Sequence, residues 1–251
     1  MIRAEGLHKR YGEVRAVDGV SVTAPDGKVT GLLGPNGAGK TSVMRMLFGI
    51  VRPDAGKAWV DNILVQDEPL AACARLGALP DASGIYPRLT ARENLRYFGE
   101  LHGIGGARLH ARVEELVERL GLREVADRRA QGFSQGERMK VALGRALVHD
   151  PRHVILDEPT NGLDVMTTRA VRGLIRTLRD EGRCVLFSSH VMQEVSALCD
   201  HVVIIAHGKV VADGALPELL TQTGAGSLED AFVALTHTGS EGPTDPDRGL
   251  R

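Results

Sequence analysis

The sequence contains few cysteines, and their spacing is typical of neither a disulfide framework nor a structural zinc site. Only three of the 251 residues are cysteines, Cys73, Cys184 and Cys199, and no two of them form a C-x-x-C pair. Small secreted domains and zinc modules need several thiols at close, regular spacing. We therefore expect the reduced thiols of a cytosolic protein.

Long apolar runs and an excess of one charge are also missing. No uncharged apolar stretch approaches the roughly 18 residues that a membrane-spanning helix needs, and residues 1–5 do not open an apolar signal region. If the chain works at a membrane, we expect it to do so through a partner. The net charge is −1, so no basic field predicts binding to nucleic acid.

The sequence does contain a glycine-rich loop between an apolar run and a helix-like stretch. Residues 34–41 read Gly-Pro-Asn-Gly-Ala-Gly-Lys-Thr, the pattern G-x-x-x-x-G-K-[ST]. Such a loop wraps its backbone amides around phosphate oxygens. We expect Lys40 to reach the β- and γ-phosphates and the Thr41 hydroxyl to ligate Mg²⁺. The alternative is an ordinary glycine-rich turn, and the loop alone does not separate an ATPase from a kinase, a GTPase or a helicase.

A second phosphate-handling element follows another apolar run, 154–156. Hydrolases of this type hold Mg²⁺ with a carboxylate at the end of a buried strand, and Asp157 and Glu158 come directly after the run. We expect Asp157 at the carboxyl edge of the sheet, near the phosphate loop. Glu158 would polarise the attacking water. Two solvated charges at a strand end are the alternative.

Short apolar strands alternate with helix-like stretches, which predicts an α/β core. Tyr11 is assigned to a polar loop, 9–13, between strands. Strands are predicted at 2–5, 20–24, 29–33, 58–60, 63–65, 76–79, 154–156, 184–187, 202–205 and 210–211, and helices at 42–48, 164–181 and 191–198.

The middle of the chain changes to a helical period. Capping boxes at Thr90 and Ser134 predict two helix starts. Residues 88–130 have apolar side chains at helical spacing and are interpreted as a helical insertion. We expect one domain over residues 1–235 and a disordered tail over 236–251.

The ordered set of motifs resembles that of the ATP-binding-cassette (ABC) transporter ATPases. Besides the phosphate loop, the chain has Ser-Gln-Gly-Glu-Arg at 134–138, Gly-Arg-Ala-Leu at 144–147, Leu-Asp-Glu-Pro-Thr-Asn-Gly-Leu-Asp at 156–164 and Ser-Ser-His at 188–190. The resemblance covers about residues 1–235. It implies a P-loop NTPase core of the α/β class with an antiparallel β subdomain and an inserted helical subdomain. It also implies two cassettes that face each other head to tail around two ATP molecules.

The resemblance implies a role for each matching residue. Glu158 and His190 would be catalytic, with Glu158 as the base and His190 as the partner of the γ-phosphate. Ser134 and Gly136 would contact the ATP held by the other copy, although simple N-capping by Ser134 is compatible with that role. The implied ATP-binding residues are Tyr11, which would stack on adenine, Gly34, Pro35, Asn36, Gly37, Ala38, Gly39, Lys40, Thr41, Ser42, Ser134, Gln135, Gly136, Glu137 and Asp164, which would lie at the dimer seam.

Two positions depart from the family pattern. The usual signature Leu-Ser-Gly-Gly-Gln reads Phe-Ser-Gln-Gly-Glu at 133–137, so Glu137 brings a carboxylate near an ATP, which is unfavourable unless a cation compensates. Most members carry glutamine where this chain has Asp81. Asp81 could still ligate Mg²⁺ through a hard carboxylate oxygen.

Asp81 and the stretch 86–95 resemble the exporter-type cassettes, and most of all the NatA-like sodium-export subunits. This implies an ATP-hydrolysing subunit, with ATP and Mg²⁺ as cofactors and a second copy of itself and a separate ABC-2 type permease as partners. It would lie on the inner face of the cell membrane. Sodium is one expected cargo, but drug, lipid and polysaccharide exporters share the layout.

Two rival interpretations are a soluble ABC ATPase acting on DNA or ribosomes and a nucleotide-binding module without hydrolysis. Soluble ABC ATPases usually carry two cassettes or a long coiled coil, and this chain shows one cassette without sustained heptads. The presence of both Glu158 and His190 disfavours a module that only binds.

Overall fold

The fold combines one antiparallel sheet, one largely parallel sheet and helices on both sides of the latter. The computed structural model describes residues 1–80 and 84–237. The strands of these residues are β1 (Ile2–Tyr11), β2 (Val14–Ala24), β3 (Val29–Leu33), β4 (Ala55–Val60), β5 (Ile63–Leu64), β6 (Leu76–Leu79), β7 (His153–Asp157), β8 (Cys184–Ser189), β9 (His201–Ala206) and β10 (Lys209–Gly214). The α-helices are α1 (Lys40–Leu47), α2 (Pro69–Ala74), α3 (Ala91–Leu101), α4 (Gly106–Arg119), α5 (Gln135–Leu147), α6 (Val165–Asp180), α7 (Met192–Leu198), α8 (Leu216–Thr223) and α9 (Leu228–His237).

The six-stranded sheet brings the candidate site together. Its order is β10-β9-β3-β8-β7-β6, and all its neighbours are parallel except β10 and β9. Strands β3, β7 and β8 are buried along their whole length, as expected for parallel strands covered on both faces. The register pairs Leu33 with Ser189 and Asp157 with Ser188. The loops that follow these three strands therefore leave the sheet side by side.

The four-stranded antiparallel sheet, of order β2-β1-β4-β5, corrects the prediction for the first 24 residues. Strand β1 continues to Tyr11, which pairs with Val14 across a tight hairpin. Tyr11 thus ends a strand and does not lie in a loop. The β1–β2 register shifts after Ala4, and Gly6 has a φ of 54°. Such bulges interrupt the alternation of apolar and polar residues, so the sequence pattern reveals only parts of both strands.

Helix α1 packs between the two sheets. Its buried residues Val43 and Met46 belong to one apolar cluster with Ile2 of β1 and Leu32 of β3. A second apolar cluster lies on the opposite face of the parallel sheet and joins it to α3 through α7. The phosphate loop, which joins β3 to α1, is thereby anchored at both ends. Neither β3 nor α1 can shift without opening a close-packed core.

The predicted helical stretch 88–130 contains α3, α4 and a short 3₁₀ turn at Arg123–Val125, and a second 3₁₀ turn, Ala130–Gly132, begins at its last residue. Both predicted capping boxes are present, with Thr90 accepting from Glu93 N–H and Ser134 from Glu137 N–H. No helix of the described residues is long and apolar enough to cross a membrane.

Asn94 fastens the segment that leads into α3. Its fully buried side chain accepts from Tyr86 N–H at 2.9 Å and donates to the carbonyl oxygens of Tyr86 at 3.1 Å and Thr90 at 2.8 Å. A buried polar group that loses its partners costs about 1–3 kcal/mol. This amide therefore holds the segment in one conformation, while Tyr86 and Tyr97 remain exposed on its outer side.

The C-terminal helices α8 and α9 are not predicted by the sequence pattern. Helix α8 follows Gly214 and carries Pro217 in its first turn, and this combination usually signals a break in regular structure. Proline is tolerated in the first turn because the N–H groups there have no helical partner. Helix α9 includes the first two residues of the expected tail, and 238–251 lie outside the described residues.

Candidate nucleotide site

The phosphate loop joins β3 to α1 and leaves no room for a side chain at two of its glycines. A Cβ on Gly34 would lie 2.3 Å from the carbonyl oxygen of Ile205, and one on Gly39 would lie 2.4 Å from that of Ala16. Gly39 also has a φ of 106°, which L side chains rarely adopt. The glycines let the loop turn tightly into α1, whose first residue is Lys40.

A cavity of about 440 Å³ lies against this loop, within the size range of small-molecule sites. Residues from four separate parts of the chain line it, and most of them belong to the predicted site. Ala16 and Asn161 also line it and were not singled out by the sequence. The lining residues are Tyr11, Ala16, Pro35, Asn36, Gly37, Ala38, Gly39, Lys40, Thr41, Ser42, Glu158, Asn161 and His190.

Three charged or titratable side chains meet at the floor of the cavity. Lys40 Nζ lies 3.3 Å from Glu158 Oε1, and His190 Nδ1 lies 2.9 Å from Glu158 Oε2. Lys40 Nζ also donates to the carbonyl oxygens of Gly34 at 2.8 Å and Pro35 at 3.2 Å. The lysine is only 5% exposed, so these partners compensate a charge that is almost fully removed from water. Glu158 thus bridges the phosphate loop and the loop that carries His190.

The backbone at Glu158 is in an unusual conformation. Its φ is 49°, and a residue with a side chain costs about 1–2 kcal/mol in this left-handed region. The Glu158 N–H donates to Ser188 Oγ at 2.9 Å, and the same hydroxyl donates to Asp157 Oδ1 at 2.5 Å. Ser188 therefore holds both carboxylate-bearing residues in place. The fixed turn sends the Asp157 side chain into the protein and the Glu158 side chain toward Lys40.

The signature segment lies elsewhere on the chain surface. Ser134 caps α5 and Gln135, Gly136 and Glu137 form its first turn, and none of the four lines the cavity. Gln135 Nε2 donates to the carbonyl oxygen of Asn161 at 3.1 Å. The start of α5 is thus joined to the loop that follows Glu158, although it does not share that residue's cavity.

Asp164 caps α6 next to this junction. Its carboxylate accepts from the Thr167 N–H at 2.9 Å and from the Thr167 hydroxyl at 2.6 Å, and these bonds lower the pKa of the Asp164 carboxyl. Thr167 also packs on the signature helix, since a Cβ on Gly136 would lie 2.7 Å from Thr167 Oγ1. The starts of α5 and α6 therefore form one surface, and a larger residue than glycine at position 136 would separate them.

The negative charge of the Glu137 carboxylate is compensated by an arginine of the same chain. Both of its carboxylate oxygens accept from Arg128 Nη2, at 2.8 and 2.7 Å, and one also accepts from the Ser134 N–H at 2.7 Å. Arg128 supplies the cation that a carboxylate near ATP needs, and the sequence pattern does not reveal this pairing. Its position in the turn before α5 gives no local signal, because the pair forms only once the turn is folded.

Two residues remain to be placed, Asp81 and Ser188. Asp81 lies outside the described residues. The motif pattern assigns no separate role to Ser188, although it contacts both Asp157 and Glu158. A polar pair, Ser188 and Ser189, at the end of an otherwise apolar strand is the signal that would have found it.

Comparison with protein families adds the deciding observation. The model of the family described as "ABC transporter" matches residues 17–161, which hold the phosphate loop, the signature segment and both carboxylates. The chain belongs to the ABC transporter family. It is an ATP-binding and ATP-hydrolysing subunit, as the motifs predicted.

Curated relatives extend the similarity over most of the chain. The ABC transporter ATP-binding protein NatA of Bacillus subtilis is 43% identical over 222 residues, covering 88% of this chain and 90% of NatA. The linearmycin resistance ATP-binding protein LnrL of the same organism is 35% identical over 239 residues, covering 95% and 76%. The Nod factor export ATP-binding protein I of Ralstonia nicotianae is 37% identical over 221 residues, covering 88% and 69%.

Solved structures confirm the predicted fold class. An ATP-binding subunit of an ABC transporter superposes with a TM-score of 0.86 at 26% identity and covers 94% of this chain and 99% of its own. A dimeric cassette in a post-hydrolysis state with ADP and Pi superposes with a TM-score of 0.78 at 23% identity, covering 86% and 99%. The second likeness is one of fold alone.

Tyr11 provides a test of the cavity as a nucleotide site. It lines the cavity and is 45% exposed, so its ring is free to stack on a base, which contributes about 1–3 kcal/mol. We expect Tyr11→Ala to raise the Kd for ATP about tenfold and Tyr11→Trp to retain the parent affinity, as measured by isothermal titration calorimetry.

Tyr97→Ala is the matched control, because Tyr97 is similarly exposed but lies on α3 outside the cavity lining. Equal weakening by both alanine variants would contradict a stacking role for Tyr11.

Proposed function

We propose that this chain is the ATPase subunit of an ABC exporter, in which two copies close head to tail around two Mg-ATP molecules and drive a separate ABC-2 type permease. The cargo we propose is sodium ion. The alternative cargoes are drugs, lipids or polysaccharides. In the cell, the chain would lie on the cytoplasmic face of the membrane, bound to the permease.

The head-to-tail arrangement is proposed because the predicted ATP-binding residues of one chain lie in two separate places. The cavity contains the phosphate loop, Glu158 and His190, but neither Ser134 nor Gly136 lines it. Ser134 and Gln135 are exposed at the start of α5, where the positive end of the helix dipole suits an anion. A second copy facing the first would bring this helix start to the γ-phosphate and complete the site.

Thr41, which lines the cavity, and Asp157, which lies beside it, fit Mg²⁺ bound together with a nucleotide. Thr41 lines the cavity, and Asp157 is buried beside Glu158 at the end of β7. A hydroxyl and a carboxylate are hard oxygen donors, and Mg²⁺ typically takes one or two such ligands together with phosphate oxygens. Thr41 and Asp157 would hold the ion, which would neutralise charge on the phosphates. Asp81 would be a further ligand of the ion.

Glu158 is proposed as the base and His190 as the partner of the γ-phosphate. The carboxylate of Glu158 accepts from Nδ1 of His190 and pairs with Lys40, so it is fixed between the two groups that would flank the γ-phosphate. A carboxylate in this position polarises a water aimed at phosphorus. His190 and Lys40 would stabilise the charge that grows on the phosphate oxygens.

We expect Glu158→Gln to bind ATP but to lose turnover by at least about 100-fold, because an amide cannot accept the proton of the attacking water. The trapped ATP should hold the dimer closed, since closure is a population shift maintained by bound nucleotide. Phosphate release measures turnover, and size-exclusion chromatography with light scattering measures the dimer.

Glu100→Gln makes the same chemical change at an exposed position of α3 and should match the parent in both assays. Hydrolysis by Glu158→Gln at the parent rate would remove Glu158 from the role of base.

The proposed permease contact is an aromatic surface formed by Tyr86, which precedes α3, and by Tyr97 and Phe98 on α3. Tyr86 and Tyr97 are 45% and 38% exposed and pack edge-to-face at a centroid distance of 5.2 Å, with Phe98 beneath them. Arg145 places its guanidinium 4.5 Å above the Phe98 ring. Exposed aromatic residues on a rigid base are typical anchors of a protein interface.

We expect a photoreactive amino acid at Tyr86 to capture an integral membrane protein when the chain is expressed in its host. The same amino acid at Val233 on α9, which is also exposed, serves as the control. Mass spectrometry identifies the product. Capture of ribosomal proteins, or of nothing, at Tyr86 would contradict the permease contact.

Sodium is proposed because the 43% identical relative NatA and the stretch 86–95 favour the sodium-export group. The other relatives are named for linearmycin resistance and Nod factor export, so the cargo requires its own test. We expect inside-out vesicles that contain the chain and the captured membrane protein to take up radioactive sodium when ATP is added.

Vesicles with Lys40→Ala should take up no sodium, because the variant lacks the phosphate contact of Lys40. Uptake of an amphiphilic drug in place of sodium would overturn the sodium proposal and leave the exporter proposal in place.

A further inference from the structure

A buried glutamate on α7, Glu194, contacts the turn after β7, the end of β8 and helix α6. Its Oε2 accepts from Thr160 Oγ1 at 2.5 Å and from Ser189 Oγ at 3.2 Å, and its Oε1 accepts from Arg172 Nη2 at 3.2 Å. Glu194 is 4% exposed and Ser189 is 1% exposed. It does not line the nucleotide cavity, so it would not touch the nucleotide.

Each hydroxyl on Glu194 lies next to a catalytic candidate, since Thr160 is in the turn of Glu158 and Ser189 ends β8 directly before His190. Thr160 follows Glu158 in the turn after β7, and that turn is closed by a hydrogen bond from Asn161 N–H to the Glu158 carbonyl oxygen at 3.1 Å. Ser189 precedes His190, and its hydroxyl accepts from the Val191 N–H at 3.0 Å. One carboxylate oxygen thus fixes the loop of the proposed base and the loop of its histidine partner relative to each other.

The charge of Glu194 suits this arrangement better than a neutral side chain would. Three donors converge on the carboxylate, which accepts through both oxygens and donates to none. Arg172 on α6 supplies the opposite charge, as a buried carboxylate requires. An amide in its place would have to turn its NH₂ group toward one of these donors.

We infer that Glu194 is a positioning residue for ATP hydrolysis, which sets the distance between Glu158 and His190 by holding Thr160 and Ser189. This inference rests on the proposed roles of Glu158 and His190. Because positioning errors of about 1 Å are enough to slow catalysis strongly, the network should govern the rate of hydrolysis. Nucleotide binding should be less affected, because the phosphate loop makes no contact with Glu194 or Thr160 among the described hydrogen bonds.

The test uses Thr160 because valine removes its hydroxyl while keeping the branched shape of the side chain. We expect Thr160→Val to lower kcat for ATP hydrolysis about tenfold with KM within about twofold of the parent. Thr160→Ser keeps the hydroxyl and should restore kcat. Glu194→Gln should resemble Thr160→Val, and the double variant should be no slower than the slower single variant, because both changes break the same contact.

Thr30→Val is the matched control, since Thr30 is a fully buried threonine of β3 whose hydroxyl has no hydrogen-bond partner among the described residues. It should retain the parent kcat. Thermal unfolding of every variant reports whether a loss of rate follows a loss of folded protein.

A parent-like kcat for Thr160→Val would overturn the inference. Equal losses in Thr160→Val and Thr160→Ser would also overturn it, since packing and not the hydrogen bond would then be the cause. Glu158→Gln, assayed alongside, separates this failure from failure of the proposed function. If Glu158→Gln is inactive and Thr160→Val is fully active, only the role of Glu194 is wrong.

Discussion

The parallel pairing of β3, β8 and β7 is the constraint on which the site depends. Its register sets Leu33 beside Ser189 and Asp157 beside Ser188, so three loops distant in sequence leave the sheet next to one another. The contacts of Lys40 with Glu158 and of Glu158 with His190 follow from this register. A slip of one residue would reverse the direction of every side chain on the strand and separate these groups.

The hydroxyl groups of Ser188 and Ser189 fix the loops that this register brings together. Ser188 contacts both residues that follow the apolar part of β7, and Ser189 contacts the glutamate behind the histidine loop. Each hydroxyl donates one bond and accepts another, so its rotation is fixed at both ends. The backbone strain at Glu158 persists because these bonds and the buried strands hold the turn.

Features set by local chemistry could be predicted from the sequence, and features set by tertiary contacts could not. The phosphate loop, the capping boxes at Thr90 and Ser134 and the central strands each depend on a few neighbouring residues. The extent of β1 could not be predicted, because its bulges disturb the alternation of residues. Neither the Arg128–Glu137 pair nor the Glu194 network leaves a sequence signal, because each joins residues that only the folded chain brings together.

The pairing of Glu137 with Arg128 has an electrostatic consequence for two copies that approach each other. A bare carboxylate at the start of α5 would repel a polyphosphate, and this repulsion would be strongest in dilute buffer, where screening is weak. With both oxygens on Arg128, the Arg128–Glu137 pair carries no net charge, and the dipole of the helix remains. Glu137 is therefore not expected to make association through α5 more sensitive to ionic strength, although it is acidic where the family usually has glutamine.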